Sequence, residues 1–209
     1  MQTLLQINAS IFSTGGQSSQ LADRFVAGWR ANHPGADIIV RDLGRESVPH
    51  LNAERFGAFL AKPAERTTMQ QAVVDYSDAL IGELKRADVV VIGLPMYNFG
   101  VPSTLKAYFD HIARAGATFR YSETGPVGLL TGKAAHVFAA RGGLYAGTAL
   151  DTQTAYVRDF LRFVGIDDVN FVYAEGLNLG AERKEAALNE AQQAIERLTA
   201  RSAPIPLAA

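Results

Sequence analysis

Three short stretches carry the residue types that could do chemistry. The first is Pro95-Met96-Tyr97-Asn98-Phe99-Gly100, which follows the apolar run 89–94 and precedes Pro102. Two aromatics, a thioether and an amide on one short loop suit a flat, partly polar ring better than a sugar or a metal ion. The second is Ser10-Ile11-Phe12-Ser13-Thr14-Gly15-Gly16-Gln17-Ser18-Ser19. Its glycines let the backbone turn N–H groups inward and its hydroxyls add donors, a combination that cradles phosphate. No Lys or Arg occurs between Met1 and Asp23, so a phosphate there would rest on neutral donors and a helix dipole. The third is Ala140-Arg141-Gly142-Gly143-Leu144-Tyr145, whose paired glycines admit a flat ligand close to the backbone. Singly, these stretches read as a helix cap, a set of core aromatics and a plain turn. Their joint placement is what raises them to a site.

That placement depends on the elements around them. Strand-like runs lie at 3–9, 36–42, 88–94, 134–140 and 169–174, with helical patterns at 18–32, 67–86, 102–114, 152–164 and 181–201. Leu21, Phe25 and Trp29 make one apolar face. Met69, Val73, Tyr76, Leu80 and Leu84 make a second, and Leu105, Tyr108, Phe109 and Ile112 a third. Strands alternating with helices predict an α/β fold with a five-stranded parallel sheet and helices on both faces. The flavodoxin-like order 2-1-3-4-5 puts the loops after strands 1 and 3 in one crevice at the carboxyl edge. Residues 53–60 suggest a short helix, and 115–133 a hairpin inserted before the fourth strand. The whole chain, 1–209, is expected to form a single domain, with the tail from Ser202 fraying.

Composition removes several classes of function. A formal charge of −1 offers no footprint for nucleic acid, and no apolar run is long enough to span a membrane. Nothing at the N-terminus resembles a signal peptide, so a cytoplasmic location is expected. Cysteine is absent, which excludes thiolate nucleophiles and cysteine-ligated metals, so redox chemistry would need a bound cofactor. Of the histidines, His33 and His50 are expected to be solvated, His136 to lie in the fourth strand, and His111 to sit at the surface or in a dimer contact. None has metal-ligand spacing with another, and no metal site is expected. The strand-1 loop lacks both GxGxxG and a Walker lysine, so a monophosphate fits it better than a dinucleotide or a nucleoside triphosphate.

Several motifs point further: PMYNFGVPSTLKAYFDHIARAG at 95–116, FRYSETGPVGLLTGK at 119–133, RGG at 141–143 and FVYAEG at 171–176. Over these, and over nearly its whole length, the chain resembles the FMN-dependent NADH azoreductase family of flavodoxin-like oxidoreductases. The resemblance implies a homodimer with two FMN sites at its interface. It places the flavin phosphate on Ser10, Gly16, Gln17 and Ser18, and the ring on Pro95, Met96, Tyr97, Asn98, Phe99, Ala140, Arg141, Gly142 and Gly143. Relatives often carry Ser at the positions of Gly16 and Ala140, so two hydroxyl donors are absent here. The implied reaction is ping-pong: NADH reduces FMN, and an azo, quinone or nitroaromatic substrate reoxidises it. No residue is expected to act as a catalytic acid or base, because the cofactor does the chemistry. Asn98 is expected to hydrogen-bond the ring, with Phe119 and Tyr121 of a partner's hairpin, Leu144 and Tyr145 bounding the substrate pocket.

A flavodoxin-type electron carrier without its own NADH activity is the alternative. It lacks the strongly charged face such carriers often use, and the hairpin suggests a substrate enclosure. A phosphoacceptor domain would need acidic residues where Asn8-Ala9-Ser10 and Leu94-Pro95-Met96 stand. A serine hydrolase would need a GxSxG elbow, which is missing.

Overall fold

The computed structural model describes residues 2–201; the tail 202–209, expected to fray, lies outside the described residues. The strands are β1 (Thr3–Asn8), β2 (Asp37–Asp42), β3 (Val89–Pro95), β4 (Phe119–Ser122), β5 (Gly125–Gly128), β6 (Ala134–Ala140) and β7 (Asp168–Ala174). The helices are α1 (Gln17–Asn32), α2 (Ala53–Leu60), α3 (Thr68–Arg86), α4 (Ser103–Ile112), α5 (Thr154–Val164) and α6 (Ala181–Arg201). The main sheet is parallel throughout and runs β2-β1-β3-β6-β7, while β4 and β5 form the separate antiparallel hairpin. Counting only the strands of the main sheet, this is the predicted order 2-1-3-4-5.

The central strands read VVVIGLP and AAHVFAA because both of their faces are covered. On one face Leu21, Phe25 and Trp29 of α1 pack with Val91, Phe138 and Ile195. On the other, Leu80, Leu84, Leu105, Phe109 and Leu161 pack against Leu5, Ile92 and Val137. Burying Phe25 alone contributes about 1.5–3 kcal/mol. The start of α3 is fixed by a capping box, with Thr67 Oγ1 accepting from Gln70 N–H and the Gln70 side chain accepting from Thr67 N–H.

The apolar stripe predicted for α3 needs correcting. Leu80 and Leu84 are buried, but Met69 is 71% exposed, and the inward face is Val74, Ser77, Leu80, Ile81 and Leu84. The first turns of α3 lie against α2 rather than the sheet, with a groove between them lined by Met69 and Val73.

Two histidines also depart from expectation. His111 is fully buried on α4, edge-on to Phe59 and Tyr76, with Nε2 3.0 Å from the Pro49 carbonyl oxygen. The chain from Pro49 through α2 covers the face of α4 that would otherwise meet solvent. His33 is half-buried, stacked 4.2 Å from the Trp29 ring, with Nδ1 2.8 Å from the Trp29 carbonyl oxygen. His50 is exposed and His136 is buried in β6, as expected.

The β4–β5 hairpin is pressed onto the C-terminal end of α5. A Cβ on Gly128 would collide with the backbone of Val164 and Gly165, so only glycine permits this approach. Gly165 ends α5 in the left-handed region, φ 105°, with its N–H bonded back into the last turn. Docked this way, the hairpin turns Phe119 inward against Phe163, 4.4 Å between ring centroids, leaving it 6% exposed. Tyr121 remains 75% exposed.

Candidate functional site

Sheet register builds the site. Asn8 pairs with Gly93, and Pro95 with Ala140, so the loops after β1, β3 and β6 leave the carboxyl edge side by side. Ala9 N–H donates to Gly93 O (3.1 Å) and Met96 N–H to Ala140 O (3.1 Å), carrying the pairing one residue past each strand. Tyr97 then ties the first two loops together. Its Oη lies 3.3 Å from Ser10 Oγ and accepts from Ile11 N–H at 3.3 Å.

The loop after β3 is a tight hairpin. Tyr97 and Gly100 exchange both backbone hydrogen bonds, and the central residues Asn98 and Phe99 have φ of 48° and 63°. Positive φ at both central positions is the turn whose twist matches a two-residue hairpin. Asn tolerates it, but for Phe99 it costs about 1–2 kcal/mol. Residues from the start of α5 offset this. Gln153 Nε2 donates to both Pro95 O and Gly100 O at 2.9 Å, and Thr152 Oγ1 donates to Phe99 O.

Two joined clefts result. A cleft of about 420 Å³ is lined by Met96, Asn98, Phe99, Gly142, Gly143, Tyr145, Asn178 and Leu179. A second, of about 230 Å³, runs from Met96 and Gly142 along Pro95, Tyr97, Ala140 and Arg141 to Ser10, Gly16, Gln17 and Ser18. Together they reach the range of roughly 300–1,000 Å³ usual for cofactor pockets. Every residue proposed from sequence as cofactor-binding lines one cleft or the other.

The phosphate end tests well for an anion. The first-turn N–H groups of α1, at Gln17, Ser18 and Ser19, have no preceding helical carbonyl to bond. Ser18 Oγ is buried, lines the cleft and has no hydrogen-bond partner among the described residues. A Cβ on Gly16 would fall onto Ser10 Oγ. Here Ser10 fills the space that a side chain at position 16 would claim.

Arg141 lines the smaller cleft but turns its charge away from it. Its guanidinium is fully buried and faces away from solvent: Nη1 donates to Glu175 (3.0 Å), Nη2 to Asp151 (2.8 Å), and the Tyr173 ring lies 5.1 Å away. Only its backbone and stem can serve the cleft. Burial alone would raise the Asp151 pKa, but hydrogen bonds from Arg141 and Thr154 and the Arg141 charge hold it below the ordinary value.

The proposed substrate-pocket residues divide. Tyr145 meets the Phe99 ring edge-on at 5.6 Å and walls the larger cleft. Leu144 is half exposed and does not line it, and Phe119 is held inside the hairpin's own contact with α5. Sequence reasoning missed Leu177, Asn178 and Leu179, which line the clefts from the turn between β7 and α6, and Lys184, which lines one of them from the first turn of α6. The available signal was that this turn leaves the same carboxyl edge of the sheet. Among the described residues there is no metal-binding cluster, and no helix is long and apolar enough to cross a membrane.

Strand order and cleft position together define a flavodoxin-like α/β protein, and a family model described as flavodoxin-like fold matches residues 2–198. An FMN-dependent NADH:quinone oxidoreductase from Cellvibrio japonicus is 55% identical over 197 residues, 94% of this chain and 98% of that protein. FMN-dependent NADH:quinone oxidoreductase 6 of Burkholderia lata is 56% identical over 195 residues, 93% of this chain and 98% of that one. Among solved structures, an FMN-dependent NADH-azoreductase from Bacillus anthracis in complex with FMN superimposes with a TM-score of 0.88 at 29% identity, covering 98% of this chain and all of that one. The chain belongs to the family of FMN-dependent NADH:quinone oxidoreductases and NADH-azoreductases.

Proposed function

We propose that this protein is an FMN-dependent NADH:quinone oxidoreductase that also cleaves azo bonds. The observation that carries it is the union, at the β1/β3 edge, of an anion cradle whose own loop holds no Lys or Arg with an aromatic and amide platform in two adjoining clefts. Bound FMN would supply the redox chemistry, accepting two electrons from NADH and passing them to the second substrate after NAD leaves. The protein binds and orients. Ser10, Ser18 and the first-turn N–H groups of α1 hold the phosphate. Met96, Tyr97, Asn98 and Phe99 form the ring platform, with the Gly142-Gly143 backbone alongside. Phe99 and Tyr145 wall the open side, where NADH and quinone alternate. Among the described residues the larger cleft has no carboxylate or imidazole in its lining, in keeping with chemistry carried by the cofactor. Splitting an azo bond to two amines takes four electrons, hence two rounds.

A second copy of the chain completes the enclosure in this reading. Tyr121, Val127 and Leu129 of the hairpin, with Leu144 and Leu150, are exposed apolar side chains of the kind a partner would cover. Sedimentation at micromolar concentration would give a dimer, and a monomer would remove the partner from the site. Nitroaromatics are a further substrate class to test. The electron-carrier alternative is not favoured by relatives of this identity that are named as NADH:quinone oxidoreductases.

The experiment is anaerobic reduction of the FMN-loaded protein. NADH bleaches the flavin, and a quinone or azo dye restores its colour. A chain that binds no flavin would refute the proposal, and one that binds flavin but ignores NADH would be a carrier.

A further inference from the structure

We propose that Lys184 is the counter-ion of the cofactor phosphate. The inference rests on the FMN reading above and adds a residue to it. A flavin phosphate is a dianion or nearly so, and the loop that would cradle it contains no positive charge from Met1 to Asp23. Two cationic side chains line the same cleft, Arg141 and Lys184. Arg141 is spent: its guanidinium is buried between Glu175 and Asp151. Lys184 is free. Among the described residues its ammonium forms no ion pair and no side-chain hydrogen bond.

Position supports the assignment. Lys184 stands in the first turn of α6, its N–H bonded to Gly180 O at 3.1 Å. It lines the cleft together with Ser10, Gly16, Gln17 and Ser18, so it faces the cradle across the gap. Glu182, the acidic residue of the same turn, does not line that cleft. A long, flexible stem on an exposed helix start can deliver an ammonium to a phosphate without disturbing the cradle itself. The phosphate then lies between the positive end of α1 and a mobile cation from α6. The contact is solvent-exposed, so its strength falls with salt.

The test compares FMN with riboflavin, which lacks the phosphate. Apo-protein is titrated with each flavin, following fluorescence quenching, for the wild type, Lys184→Met and Lys184→Arg. Lys184→Met should weaken FMN on the order of tenfold at about 0.1 M salt, the scale of one partly exposed charge-assisted contact. Riboflavin affinity should stay the same, the salt dependence of FMN binding should flatten, and Lys184→Arg should keep most of the affinity. Equal FMN affinity in wild type and Lys184→Met overturns the inference. An equal loss for both flavins also overturns it, since it assigns Lys184 a structural role. If the wild type binds neither flavin, the FMN reading itself fails and this inference with it.

Discussion

Arg141 Nη1 donates to Glu175 Oε1 at 3.0 Å, and the same oxygen accepts the N–H groups of Tyr145 (3.0 Å) and Ala146 (2.9 Å). One carboxylate thus joins the end of β6, the glycine pair and the loop beyond it. Arg141 completes the frame through Asp151, whose Oδ1 also accepts from Thr154 N–H at the start of α5 (3.1 Å). Removing one partner of a buried pair strands the other. Glu175→Ala should therefore destabilise by about 3 kcal/mol in urea unfolding, where a surface pair would give under about 1. The double variant Arg141→Met, Glu175→Gln should recover part of the loss. A Glu175→Ala protein as stable as the wild type would show that the frame is not held this way.

Gln153 should matter as much for the platform. Its amide serves two carbonyls, Pro95 O and Gly100 O, on either side of the strained Asn98-Phe99 turn. Gln153→Ala leaves both without this donor and should cost about 1–3 kcal/mol. Because the turn carries the ring platform, FMN and riboflavin should weaken together, by several-fold. Unchanged binding of both would place the control of the turn elsewhere.

Buried histidines set a pH dependence. His136 and His111 are held below their ordinary pKa, chiefly because burial disfavours the charged ring. The unfolded chain takes up their protons below about pH 6.5 while the folded chain does not. Their contribution is therefore full above that pH and is lost as pH falls towards the folded values, at no more than about 1.4 kcal/mol per pH unit for each ring. Urea midpoints should drop between pH 7.5 and 5.5. His136→Phe, which keeps the ring beside Phe25 (4.6 Å in the wild type), should flatten that slope. The carboxyl of Asp151, held low by Arg141 and Thr154, adds a further loss only below about pH 4.

Neighbouring hairpin aromatics should separate cleanly. Phe119→Ala removes a buried ring and should cost about 3 kcal/mol of stability. Tyr121→Ala, at an exposed position, should change stability by about 0.5 kcal/mol or less while lowering kcat/KM for quinones. Steady-state kinetics unchanged by Tyr121→Ala would remove the hairpin from the substrate site.

Much of this was legible in the sequence. The continuous apolar run at 89–94 marked a strand covered on both faces, and alternation with helices left few topologies for the sheet. Once the order was given, the loops carrying Ser10, Met96 and Gly142 had to share an edge. Periodicity reports how a segment meets its nearest layer. It does not report what a distant segment does to a side chain. Packing of the chain beyond Pro49 buried His111, and the close approach of Gly128 to Gly165 turned Phe119 inward. The carboxylates of Asp151 and Glu175, 10 and 34 residues along the chain, took the Arg141 charge out of the cleft. The first turn of α6 brought a different cation, Lys184, to the phosphate end. The sequence determined which loops would meet. The tertiary structure decided which charges and rings face into the cleft, because that depends on contacts between segments far apart in the chain.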